Sequence, residues 1–140
     1  MYYIRSGQQP KLNANQQVNR LGKYLFKHLD TANDIDYTPN TCEVHITVLY
    51  EIPRELYRKY QEHLNEEAGE IFELKIMLNF TTYQNKVRLN VIEDNENERT
   101  LGQRIYKPED LMDLQASQNR VMNDVYKILS RKFEDYDFIV

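Results

Sequence analysis

Between Glu70 and Glu93 the chain reads EIFELKIMLNFTTYQNKVRLNVIE, and no other stretch restricts the available folds as strongly. Leu74, Ile76, Leu78 and Phe80 alternate with Lys75, Met77 and Asn79. After a polar interval from Thr81 to Asn85, Val87, Leu89 and Val91 alternate with Arg88 and Asn90. A period of two sends successive side chains to opposite faces of a strand. Two such runs around a short polar turn predict a β-hairpin with one apolar face. Helices packed on that side of an antiparallel sheet are its simplest cover.

The sequence offers two such helices. The first is expected from Ala14 to Leu29, with Asn13 as cap and Gln16 at the capping-box position. Val18, Leu21, Leu25 and Leu29 form its apolar stripe, flanked by Gly22 and Phe26. A glycine in mid-helix weakens it by about 0.5–1 kcal/mol against alanine, which points to close packing on the sheet. The second is expected to open at Pro108 and run to Phe133, with Leu111, Leu114, Val121, Val125 and Ile128 on one side. Its length of roughly 39 Å would overhang a nine-residue strand.

Between these elements, Asp30 to Thr41 reads as a loop rich in Asn, Asp and Thr, and Cys42 to Tyr50 as an alternating strand. Pro53 to Leu64 reads as a short helix with Leu56, Tyr60 and Leu64 on one face. Glu93 to Arg99 reads as a polar loop. Tyr2 to Arg5 has strand character but little length, and Leu101 to Tyr106 reads either as a short third strand extending the hairpin into a meander or as an extended lead-in to the second helix. The expected architecture is a single α+β domain over residues 1–140. An antiparallel sheet of three or four strands carries two main helices on one face, with a short additional helix.

Composition narrows the function classes. Hydrophobic residues make up 41% and charged residues 29%, as in a globular protein. No apolar run is long enough to span a bilayer, and the first residues lack the pattern of a signal peptide. Cys42 is the only cysteine, which leaves no intrachain disulfide and no multi-thiolate metal site. A cytoplasmic or otherwise intracellular location is the expectation. The net charge of −4 is unevenly spread: Arg5, Lys11, Arg20, Lys23 and Lys27 precede any acidic residue.

Catalytic and cofactor motifs are not evident. The four glycines are scattered, so no phosphate-binding loop or nucleophile elbow can be drawn. Cys42 and His45, three apart in a strand, point to opposite faces, and Cys42 reads as a small buried hydrophobe. His28, His45 and His63 form no HxH or HxxxH pattern, and His63 beside Glu66 and Glu67 reads as a surface histidine. EDNENE from Glu93 to Glu98 lacks the glycine and spacing of a calcium loop. Neither a metal nor a cofactor is expected.

The expected function is therefore non-enzymatic: an adaptor, regulatory or assembly protein acting through protein contacts, with self-association. Eleven tyrosines and the aromatic, apolar C-terminal DYDFIV favour interfaces. The candidate contact residues are Arg20, Lys23, Lys27, Tyr126, Tyr136, Phe138, Ile139 and Val140. One alternative is a nucleic-acid- or ribosome-associated protein using Arg20, Lys23 and Lys27. Its sheet face mixes Lys75 and Arg88 with Glu43 and Glu73 and lacks the aromatic pairing of sheet-type RNA binders. Another is a small enzyme or ligand-binding domain built on His45 or His63.

Overall fold

The computed structural model describes residues 12–56 and 71–140. Over these the chain forms α1 (Ala14–His28), β1 (Ala32–Tyr37), β2 (Cys42–Glu51), β3 (Phe72–Tyr83), β4 (Lys86–Glu93), β5 (Thr100–Tyr106), α2 (Leu114–Lys132) and β6 (Asp137–Ile139). Two 3₁₀ turns, Arg54–Leu56 and Pro108–Leu111, join them. The sheet is an antiparallel meander in the order β1-β2-β3-β4-β5. The short β6 pairs with the upper half of β2, through Leu49 and Ile139, Tyr50 and Phe138, and Glu51 and Asp137. The lower half of β2 pairs with β1 on the same edge. No helix among the described residues is long and apolar enough to cross a membrane.

The hairpin folds as its alternation demands. Ile76, Leu78, Phe80, Val87, Leu89 and Val91 are fully buried, and their outward neighbours are half-buried or exposed. The turn is tighter than the polar interval suggested. Tyr83 pairs with Lys86, leaving Gln84 and Asn85 as the loop, with φ of 49° and 62°. Two consecutive left-handed residues match the right-handed twist of the flanking strands, as a type I′ hairpin turn requires.

α1 begins where its cap is. Asn13 accepts from the Gln16 backbone N–H, and the Gln16 side chain accepts from the Asn13 backbone N–H, both at 2.9 Å. Val18, Leu21, Gly22 and Leu25 are buried against the sheet. The absent side chain at Gly22 matters: a Cβ there would collide with Cys42 Sγ and stand 2.9 Å from Cys42 Cβ. α2 approaches β5 in the same way, where a Cβ on Gly102 would stand 2.7 Å from Ile128 Cγ2.

Four expectations are corrected. Among the described residues the sheet has five strands in its main path and a sixth beside β2, not three or four. The stretch expected as a loop from Asp30 to Thr41 contains β1, whose Asn and Asp content hides it. Among the described strands β1 is a sheet edge, with a register shift between Ala32 and Asp34, and edges tolerate such residues. The expected helix from Pro108 breaks into a 3₁₀ turn followed by α2. Extended backbone at Asp113 interrupts it and restarts the helix with a side-chain cap on Ala116 N–H. The expected overhang goes with it, since α2 has 19 residues. Of the helix expected from Pro53, only the turn Arg54–Leu56 is described; Tyr60 and Leu64, like the segment Tyr2 to Arg5, lie outside the described residues.

The turn before α2 is fastened to α1. Gln17 Nε2 donates to the Pro108 carbonyl at 3.1 Å, and the Arg20 guanidinium donates to the carbonyls of Leu111 and Met112 at 3.4 and 3.0 Å. Gln17 is fully buried, so these partners keep a polar group satisfied inside the core. At the other end of the sheet, Tyr50 stacks on Tyr136 and Phe72, and Phe133 on Tyr136. Phe138 closes that aromatic cluster.

Leu89→Ala is expected to lower stability by about 2–5 kcal/mol in chemical denaturation, as for other fully buried leucines. Gly22→Ala is expected to lower it by about 1–3 kcal/mol despite better helix propensity. The loss should shrink in a Cys42→Ala background, where the colliding sulfur is gone.

Candidate functional site

The sheet face opposite the helices has no described element over it, and its side chains form cross-strand rows. Glu43, Asn79, Asn90 and Gln103 lie in register on β2, β3, β4 and β5. Asn79 Nδ2 donates to Glu43 Oε1 at 3.3 Å, Asn90 Nδ2 to Asn79 Oδ1 at 3.4 Å, and Gln103 Nε2 to Asn90 Oδ1 at 2.9 Å. This polar ladder crosses four strands.

At the β1 end of that face stands a group of titratable residues, Asp34, Asp36, His45 and Asp94. His45 on β2 is directly opposite Asp34 on β1, and Asp36 is opposite Glu43. Asp94, just past β4, reaches back over the sheet, its position fixed by a backbone bond from its N–H to the Lys75 carbonyl. His45 Nδ1 lies 2.8 Å from Asp94 Oδ2, and His45 Nε2 lies 3.7 Å from Asp36 Oδ2. The His45 side chain is 19% exposed, against 72% for Asp36. Burial works against a charged ring, but the hydrogen bond to Asp94 and the charges of Asp94, Asp34 and Asp36 outweigh it and raise the His45 pKa. Asp34, Asp36 and His45 can each present one ligand atom within 4.8 Å of the others, so this group is able to hold a metal ion. Periodicity could not find it, because its members come from three elements and His45 and Asp94 are 49 positions apart. The available signal was the row of acids around an outward-facing histidine.

A second feature lies at the opposite sheet edge. β5 pairs with β4 alone among the described strands. Beside it, Leu101, Gly102 and Ile128 floor an open depression of about 180 Å³ rimmed by Arg104, Arg131 and Lys132. Arg131 and Lys132 belong to the last turn of α2, where cations are favoured by the helix dipole.

The residues singled out from sequence are dispersed. Arg20 is engaged with the turn before α2. Lys23 Nζ sits 4.3 Å from the centroid of the Tyr37 ring, and Lys27 is exposed. Tyr126 is half-buried beside Phe138, and burial raises its pKa. Tyr136 and Phe138 lie in the aromatic cluster, while Ile139 and Val140 are 41% and 96% exposed. Cys42 is fully buried on the core face. Burial chiefly, with the Glu43 charge and against that of Lys23, pushes its thiol to about 11, so it is not an activated nucleophile at neutral pH. Tyr106, buried under α2, donates to Asp124 Oδ2 at 2.6 Å. Burial first, then that bond and the Asp124 charge, drives its pKa upward and keeps the hydroxyl protonated. His63 lies outside the described residues.

A raised histidine pKa adds stability that is fully present below the unfolded value of about 6.5 and is lost as pH rises through the folded value. In buffer containing a chelator, the stability advantage of the parent over His45→Gln is expected to shrink as pH rises above about 6.5. Asp94→Asn is expected to flatten that dependence, with the midpoint of urea unfolding as the measurement. No protein family, curated protein or solved structure matches this chain.

Proposed function

We propose that this chain is a non-enzymatic adaptor, regulatory or assembly protein that works through protein–protein contacts, with the outer edge of β5 as its docking strand. The observation that carries this reading is the pairing of β5 on one side only among the described strands, next to an apolar depression with a cationic rim. An edge strand offers a row of backbone donors and acceptors to an incoming strand. Arg104, Arg131 and Lys132 select for carboxylates beside it, and the floor of Leu101, Gly102 and Ile128 takes an apolar side chain. The occupant is therefore an extended, acidic segment of another protein with apolar residues at alternate positions.

Self-association through the same edge has less support, because it would bring the Arg104, Arg131 and Lys132 groups of two copies together. The nucleic-acid reading through α1 also has less support. Arg20 is held in two backbone hydrogen bonds and Lys23 rests over Tyr37.

The test is fluorescence anisotropy with a labelled peptide of alternating glutamate and valine. Saturable binding that weakens with salt is expected. Arg104→Glu with Arg131→Glu should weaken it about tenfold or more, and N-methylation of alternate peptide amides should abolish it. Unchanged affinity in the charge-reversed variant would overturn the proposal. So would tighter binding of a single-stranded RNA probe, or a dimer at high micromolar concentration with no affinity for the peptide.

A further inference from the structure

We propose that Asp34, Asp36 and His45 form a binding site for a divalent metal ion of the zinc class. The three residues project from neighbouring strands at one end of the open sheet face, with His45 opposite Asp34 in the β1–β2 register. One ligand atom from each comes within 4.8 Å of the other two, so a modest closure of the exposed Asp36 side chain brings all three around one ion.

The state of the imidazole is the second, independent observation. Its two nitrogens have different surroundings. Nδ1 is 2.8 Å from Asp94 Oδ2, so Nδ1–H donates to that carboxylate and Nε2 is the nitrogen that a cation could take in place of a proton. Nε2 has under 1 Å² of exposed surface and no hydrogen-bond partner among the described residues. A buried nitrogen without a partner is destabilising, and its nearest carboxylate oxygen is 3.7 Å away. A cation at the ordinary zinc–nitrogen distance of about 2.0–2.1 Å would give it a partner. Asp94 then acts as the outer carboxylate of a carboxylate–histidine–metal arrangement, orienting the ring and raising its basicity.

Charge balance favours the metal over a proton. Asp34, Asp36 and Asp94 surround one ring. A proton on Nε2 leaves two of those three charges uncompensated, whereas a divalent ion beside a neutral ring leaves one. One imidazole nitrogen with two carboxylate oxygens suits zinc, cobalt or manganese, and the lack of a thiolate disfavours copper(I). Three protein ligands leave the remaining coordination positions to water or to an anionic group.

The experiment uses the whole chain, stripped with chelator and titrated by calorimetry with Zn²⁺ alone in a non-coordinating buffer. Co²⁺ serves as a spectroscopic probe and Ca²⁺ as a hard-cation comparison. Binding of one Zn²⁺ per chain is expected, with visible Co²⁺ absorption and a shifted Nε2 resonance of a single histidine in nitrogen NMR. His45→Ala and Asp36→Asn should abolish binding, and Asp94→Asn should weaken it about 10–100-fold. Asp36 is mostly exposed, so Asp36→Asn reports on the site without threatening the fold. Absence of saturable Zn²⁺ and Co²⁺ binding overturns the proposal in favour of a protonated His45 clamp. Zn²⁺ binding that survives both His45→Ala and Asp36→Asn also overturns it, as does Ca²⁺ binding as tight as Zn²⁺ and indifferent to His45→Ala.

Discussion

Pairing of β2 along both edges is the contact on which the rest of the molecule depends. β3 takes one edge along nearly its whole length, and β1 and β6 divide the other. The first and last strands of the described chain thus meet on one partner. With its backbone fixed, the period of two on β2 distributes chemistry between two sides. Cys42, Val44, Ile46 and Val48 enter the core under α1, while Glu43 and His45 go to the uncovered face. The glycine in α1 is a consequence of the same strand, since Cys42 fills the space a side chain would need.

What was legible in the sequence was whatever acts over a few residues. The buried set of the hairpin follows from alternation, and the start of α1 from an asparagine and a glutamine three apart. The separation of Cys42 from His45 follows from strand geometry. What escaped needs long-range information. β1 is polar in composition and becomes a strand because β2 offers it an edge, so the gain comes from a partner rather than from propensity. The break before α2 had a local cue, an aspartate at Asp113, but Pro108 is an equally good helix opener. Gln17 and Arg20, reaching across from α1, help to hold the 3₁₀ form in place. The group around His45 is assembled by sheet register and by the return of Asp94 over β3, neither of which leaves a spacing pattern.

Two of the sequence-derived contact residues show how internal partners redirect a side chain that looks available. Arg20 falls on the polar side of an ideal α1, yet its guanidinium reaches carbonyls at the end of a 3₁₀ turn that α2 cannot satisfy. Phe138 and Tyr136, which give the tail its interface-like composition, complete an aromatic group with Tyr50, Phe72 and Phe133. An aromatic cluster at the end of a sheet needs a lid, and here the tail is that lid.

The ladder from Glu43 to Gln103 has a consequence for how this surface meets its surroundings. Its amide and carboxylate groups already exchange hydrogen bonds with one another, so an arriving molecule finds little to swap for the water it would displace. Broad flat sheets usually risk sticking face to face. Here a second sheet stacking on the middle of the face would have to strip water from a continuous band of amides and a carboxylate.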